Sequence, residues 1–533
     1  MPQDDGKRYS RRDFCRIMGA AGASLAAGPA LRSAQAGSGS DDNRPNIILI
    51  MADDMGWSDA GCCGSEIRTP NLDSMARDGV TFTQFYNTGK CFPTRACLLT
   101  GVYAQQCGMA RNHGDITNAI TLGEALRPAG YRTLWAGKHH GDENPYFRGF
   151  DHYYGLRDGA CNYFNPGYKR EGEPKPAQKR YGKRYWCIDE KTYQPYTPEA
   201  DDFYTCDYFT NYALDWLDEG QDDDRPFFLY MAYKTPHDPM QAWPEDIARY
   251  EGTYMDGYEE TRRARYQRQI DSGLLDPDVA PLSERQSPDW SSLSEEKRRE
   301  EDRRMAVYAA MVDRMDQNIG RILDKLEELG EADNTLVLFL SDNGASKEVV
   351  KIGKGPIGSI TRWASQKQYW ANVSNTPLRR YKNSNLEGGI CTPLIARWPA
   401  GIKDPGRITR WPGHCIDFMA TFTDIAGAEY PERFNDQDIV PMQGKSFLPI
   451  LKDGSEPDRE AIFWQWRRGR AIRRGDWKLV SDGGPWRLYN LAEDRTEQND
   501  LSSKRPKMVK NMVKRWEKWY SDCYNGNPPG IFD

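Results

Sequence analysis

Two acidic pairs in this chain stand where carboxylates can gather around a cation. Asp53-Asp54 follows the apolar run at residues 46–51, and Asp342-Asn343 follows the run at 335–340. Three carboxylates and one amide oxygen make an all-oxygen donor set, which suits Ca²⁺ first and Mg²⁺ second. A third segment reads Cys91-Phe92-Pro93-Thr94-Arg95. Pro93 fits the first turn of a helix, where a missing N–H costs nothing. Cys91 then sits just before that helix, near its positive dipole end, with Arg95 one turn along. That arrangement binds anions.

These residues need elements to hold them. Residues 46–51 are a short apolar, β-branched run, read as a buried strand. Further strands are expected at 131–135, 226–233 and 335–340. Helices are expected at 71–79 and 207–217. The strongest helical pattern spans 305–329, with Val307, Met311, Met315, Ile319, Ile322 and Leu326 on one face. Alternating strands and helices predict an α/β fold with a large, mostly parallel, doubly wound sheet. Such sheets gather ligands at the carboxyl ends of their strands, which is where both acidic pairs fall. From about 456 onward the pattern changes to short strands split by turns, then a helix at 507–519. That predicts a small antiparallel sheet with one helix.

The 533 residues carry 72 basic and 78 acidic side chains, and the net charge of −6 gives no support to a nucleic-acid partner. No run of 18 uninterrupted apolar residues occurs, so no integral membrane segment is expected. Residues 1–36 read as an export signal: five basic residues, a small-residue apolar stretch, then Ala34-Gln35-Ala36 as a cleavage pattern. Ser10-Arg11-Arg12-Asp13-Phe14 resembles a bacterial twin-arginine signal, which implies the Tat translocase as partner and a periplasmic or extracellular destination. Residues 37–45 read as a linker, 46–455 as a catalytic domain with a charged, partly helical insert at about 242–304, and 456–533 as a C-terminal subdomain.

The segment C-x-P-x-R followed by Leu99-Thr100-Gly101 resembles the signature of the type I, formylglycine-dependent sulfatases, part of the alkaline-phosphatase-like superfamily. Further segments match in order. Asp53-Asp54 and Asp342-Asn343 resemble the family's metal pairs. Gly137-Lys138-His139-His140-Gly141 resembles G-K-W-H-x-G, a register that selects His140 over His139. Thr235-Pro236-His237-Asp238-Pro239 resembles the segment of a second catalytic histidine. Leu378-Arg379-Arg380-Tyr381-Lys382 resembles that of a second lysine, and residues 471–478 resemble a C-terminal hairpin. Residues 307–321 and 370–398 are most similar to bacterial arylsulfatases. Thr94 stands where many members have Ser, while Cys107 and Ala104 replace a common His and Pro.

The resemblance implies hydrolysis of sulfate monoesters, with Cys91 oxidised to formylglycine (3-oxoalanine) by a formylglycine-generating or anaerobic sulfatase-maturing enzyme. The metal ligands are then Asp53, Asp54, residue 91, Asp342 and Asn343. Arg95 fixes residue 91, and Lys138 and Lys382 neutralise the sulfate oxygens. Asp342 takes a proton as the nucleophile attacks. His237 or Lys382 protonates the leaving oxygen, and His140 is the final base. The aldehyde makes chemical sense, because a thiolate adduct of sulfur has no easy exit, whereas a hydrated carbonyl can release sulfate by collapsing back to C=O.

Residues 163–204 and the insert, with Trp243, Tyr250, Tyr254 and Trp290, read as long connecting segments. Their aromatic rings either line a substrate cleft or pin the insert to the body. The substrate is an aryl or a carbohydrate sulfate, a sulfated small molecule or glycan. A phosphonate or phosphate monoester hydrolase of the same superfamily and a catalytically silent exported binding protein are the competing readings. Cysteines other than Cys15 and Cys91 are even in number, which permits disulfides without assigning them.

Overall fold

The computed structural model describes residues 44–531. The expected signal at 1–36 and most of the linker lie outside the described residues. Ten strands build the principal sheet: β1 (Asn46–Asp53), β2 (Val80–Tyr86), β3 (Arg132–Gly137), β4 (His152–Leu156), β5 (Trp186–Ile188), β6 (Lys191–Tyr193), β7 (Phe227–Pro236), β8 (Thr335–Ser341), β9 (Cys391–Arg397) and β10 (Arg407–Thr409). Their order is β10-β2-β9-β8-β1-β7-β3-β4-β5-β6, and Gly413–His414 adds a short pairing to β2. The centre, β8-β1-β7-β3-β4, is wholly parallel. β9 runs antiparallel to both β8 and β2, and β5 runs antiparallel to β4. The sheet is thus α/β and mostly parallel at its core, with antiparallel flanks.

Alternation along β1 explains the layering. Ile48 and Ile50 face one core, which contains Met311, Met315 and Ile319 of the long helix. Ile47, Leu49 and Met51 face the other, which contains Ala96, Leu98 and Leu99 of the helix after Cys91. A strand covered on both faces has no polar side, so its sequence is continuously apolar. The long helix spans Glu295–Leu329, beginning ten residues earlier than its apolar stripe. Ser294 accepts the Lys297 N–H, and Arg299–Glu295 (2.6 Å) and Arg304–Glu300 (2.6 Å) pair along the charged first turns. Such capping and i,i+4 pairing extend a helix where no core contact does.

A four-stranded antiparallel sheet (Ile462–Trp466, Gly469–Arg474, Trp477–Asp482, Arg487–Asn490) and the helix Pro506–Asp522 close the chain. Trp466, Ile472, Leu479 and Trp516 share the core that contains Leu98 and Leu99.

Candidate active site at the strand ends

Four adjacent parallel strands, β3, β7, β1 and β8, deliver the polar residues. Asp53 ends β1, and Lys138, His237 and Asp342 follow the last residues of β3, β7 and β8. Cys91 opens the helix Cys91–Thr100 as its first residue, one position further in than its sequence suggests, with Lys90 as N-cap. Cys91, Asp53 and Asp342 bring ligand atoms within 4.8 Å of one another, and so do Asp53, Asp54 and His237.

Arg95 is 1% exposed and ties the two acidic pairs together. Its Nε and Nη2 donate to Asp342 Oδ2 at 3.0 and 2.8 Å, and its Nη1 donates to the Lys138 carbonyl at 3.0 Å. Lys138 Nζ pairs with Asp53, and Lys382 Nζ reaches Asp54 Oδ1 at 2.6 Å. Asn343 Nδ2 donates to Asp54 Oδ1 at 2.6 Å. His237 Nδ1 lies 2.6 Å from the Asp238 carbonyl, while its Nε2 lies 3.6 Å from Asp54 Oδ2. Buried carboxylates survive only when cations and N–H donors compensate them, and here Arg95, Lys138 and Lys382 do so, with His237 beside them.

The electrostatics follow from that burial. Burial pushes the Asp53 carboxyl up, but Lys138, His237 and Arg95 outweigh it and hold it far below its usual range. Asp342 behaves oppositely: burial, then the neighbouring Asp53 charge, raise it to about 6 against Arg95. Burial lowers His237, but Asp54 and Asp53 overcome that and favour the imidazolium. Burial, then Lys138 and Lys90, keep His140 neutral, well below the usual imidazole range.

The donor set fits a hard cation. Asp53 Oδ1 and Asn343 Oδ1 are buried oxygen acceptors without a partner, and each belongs to one of the acidic pairs. A buried acceptor left unpaired costs about 1–3 kcal/mol, so its persistence points to a charge that it serves.

Residues 45–428 match the Sulfatase family. The chain belongs to that family. A second match, N-sulphoglucosamine sulphohydrolase, C-terminal, spans residues 381–521. An arylsulfatase of Klebsiella aerogenes is 32% identical over 438 residues, covering 76% of this chain and 92% of its own. An uncharacterised sulfatase of Schizosaccharomyces pombe is 31% identical over 525 residues, covering 89% and 93%. The solved structure of Ps i-CgsB with k-i-k-neocarrahexaose superposes with a TM-score of 0.68 at 27% identity, covering 92% of this chain and 95% of that one. A phosphonate monoester hydrolase of Agrobacterium radiobacter shares the fold, with a TM-score of 0.56 at 20% identity and 90% and 96% coverage. This sulfatase is a sulfuric ester hydrolase on an alkaline-phosphatase-like fold.

Within the sulfatase, every residue singled out from sequence except His140 is joined to the cluster by a hydrogen bond, ion pair or ligand-atom contact. His140 sits at its edge at a positive φ of 66°, its ring 5.7 Å from Phe92 and its Nδ1 unpartnered. His113 also packs against the His140 ring, whereas His152 and His414 lie elsewhere, on Asp189 and Cys415. The eleven described cysteines are all free thiols.

Sequence reasoning missed the supports. Asp238, inside a quoted motif, has its carboxyl depressed to about 2 against the cost of burial by a hydrogen bond to His237. The Tyr163 hydroxyl, with one proton to donate, lies between the carbonyls of Lys234 (2.8 Å) and His237 (2.9 Å), bracing that turn. Arg265, from the insert helix Gly257–Asp271, donates to Asp59 at 2.6 Å, and Tyr308 donates to the same carboxylate at 2.7 Å. Asp59 in turn accepts the Gly56 N–H at 2.8 Å, fixing the loop after Asp54. The insert's aromatics pin it: Tyr254 and Tyr258 pack on Trp370, and Trp290 donates its Nε1–H to the Met255 carbonyl.

Proposed function

We propose that this sulfatase hydrolyses aryl or carbohydrate sulfate monoesters at a formylglycine made from Cys91. The observation that carries the reading is the convergence of Cys91, Arg95 and both acidic pairs, with Asp53 Oδ1 and Asn343 Oδ1 left unpartnered. Asp53, Asp54, Asp342, Asn343 and residue 91 would hold a divalent ion, Ca²⁺ by donor type and Mg²⁺ second. When bound, the ion supplies charge neutralisation at a sulfate oxygen, and the hydrated aldehyde supplies the oxygen nucleophile.

The chain's own side chains do the rest. Lys138 and Lys382 bind the sulfate oxygens, and each is already aimed at a carboxylate of the cluster. Arg95 orients Asp342 and the start of the helix that bears residue 91. Asp342, raised to about 6, is poised to accept a proton at Oδ1 or Oδ2. His237, kept protonated by Asp54 and Asp53, gives its Nε2 proton to the leaving oxygen, with Lys382 Nζ as the other candidate donor. His140, held neutral, takes the last proton before sulfate departs.

Part of this reading lies outside the described residues. The Tat-type signal ending near Ala36 supports export to a bacterial periplasm or beyond. Tat substrates cross folded, so a maturing enzyme would modify Cys91 in the cytoplasm. The division into 46–455, with its insert at 242–304, and 456–533 belongs to the same reading. The test is turnover of 4-nitrophenyl sulfate, a sulfated oligosaccharide and a phosphonate monoester side by side. Either sulfate is expected to be preferred; faster turnover of the phosphonate overturns the proposal.

A further inference from the structure

A cavity of about 250 Å³ lies apart from the strand-end cluster, and its lining includes none of the residues named above as catalytic. Thr83 and Gln84 of β2 form one wall. Leu274 and Val279, beyond the insert helix, form a second, and Arg473 and Arg495 of the C-terminal region form a third.

Two features of the lining ask for a ligand. Arg473 is 4% exposed. Its Nε donates to the Gly475 carbonyl at 2.9 Å and its Nη1 to the Tyr86 hydroxyl at 2.5 Å. Among the described residues no carboxylate pairs with it. Glu387 and Glu497 pair with Lys478 and Arg495, and Arg473 reaches Glu387 only through the Tyr86 hydroxyl, which donates to Glu387 Oε2 at 2.8 Å. A buried guanidinium without a direct anionic partner is costly. The second feature is Gln84, 8% exposed, whose Oε1 is buried with no hydrogen-bond partner. Arg473 and Gln84 thus line a cavity whose apolar part comes from Leu274, Val279 and Leu378.

We propose that this cavity binds a compact organic monoanion. Its oxyanion head pairs with Arg473, a hydroxyl donates to Gln84 Oε1, and an apolar body fills the space between. Arg410, Asp276 and Asp476 also line the cavity and are solvent-exposed, and the two carboxylates outnumber the one exposed guanidinium, so a second negative charge on the ligand is disfavoured.

The probe is 4-hydroxybenzoate, titrated calorimetrically into the full chain. Saturable binding at one site per chain is expected. Val279→Trp, which fills the cavity from its half-exposed side, and Gln84→Leu, which removes the acceptor, should each weaken binding about tenfold or more. Circular dichroism checks that both variants fold. Cys91→Ala should bind the probe like the parent, separating this cavity from the strand-end site. Absence of saturable binding to the parent chain, equal binding to Val279→Trp, or loss of binding in Cys91→Ala overturns the proposal.

Discussion

Arg95 and Asp342, 247 residues apart, meet through two hydrogen bonds to the same carboxylate oxygen, at 3.0 and 2.8 Å. Both side chains are at most 1% exposed. Removing the guanidinium leaves Asp342 buried beside Asp53 without its direct partner. Arg95→Ala should cost about 3–5 kcal/mol of stability, as breaking a buried ion pair does. Denaturant unfolding measures this, and sulfatase turnover should vanish in parallel. Arg95→Lys keeps the charge but loses the forked geometry, so it should recover stability more than activity.

In the proposed mechanism the chemistry depends on Cys91. Cys91→Ala removes one small buried side chain at a helix start, so the unfolding midpoint should barely move while turnover disappears. In parent protein matured in a competent host, peptide mass spectrometry should find residue 91 lighter by about 18 Da, the change from thiol to aldehyde. A parent enzyme that is fully active with an intact thiol contradicts the mechanism.

The orphaned oxygens of Asp53 and Asn343 bear on metal removal. Dialysis against a chelator should abolish turnover and lower the melting temperature, because an ion bound only by the folded state stabilises it by mass action. Adding Ca²⁺ should restore both, and Mg²⁺ less completely. Asp53→Asn should raise the Ca²⁺ concentration needed for that recovery.

Lys478 joins the C-terminal sheet to the segment after Lys382. Its Nζ donates to Glu387 at 2.6 Å and lies 2.8 Å from Glu497, all three side chains being fully buried. Lys478→Met leaves the buried Glu497 without its cation, while Glu387 keeps Arg495, and should destabilise the fold by about 3–5 kcal/mol. Because Glu387 lies five residues beyond Lys382, kcat should fall as well, in protein verified as folded by circular dichroism.

Lys234 is a buried lysine whose only hydrogen-bond acceptor among the described residues is the Cys161 carbonyl, at 2.9 Å. Burial depresses its ammonium from 10.5 to about 7. Between pH 7 and 10.5 the unfolded chain therefore holds a proton that the native chain has lost. The stability contributed by this group rises with pH across that window and is flat on either side. Relative to Lys234→Met, the parent should gain about 2 kcal/mol between pH 7 and 9, read from urea unfolding. A pH-independent difference would show that Lys234 stays charged.

Much of the site was legible because its motifs are local. Asp53-Asp54, the C-x-P-x-R run and Asp342-Asn343 each depend on a strand ending or a helix starting at the right residue. Apolar runs such as residues 46–51 mark those ends. β2, β4 and β9 were harder to see. Each pairs antiparallel with a neighbour, and their side chains mix Thr, Gln, Tyr and Arg with apolar residues. The aromatic insert allowed two readings, and packing of Tyr254 and Tyr258 on Trp370 chose between them.

The sequence by itself determined which groups are candidates for the chemistry, because residue type and spacing suggest a donor set, a nucleophile position and the strands that bear them. Only the tertiary structure decided who compensates whom. Lys138 falls to Asp53, Lys382 to Asp54, Arg95 to Asp342, and Lys478 secures the segment after Lys382. Those pairings follow from the strand order β8-β1-β7-β3, which local patterning does not encode. In a buried site their partners fix whether each ionisable group is charged. The crossovers that set the strand order therefore set the protonation states with which the enzyme works.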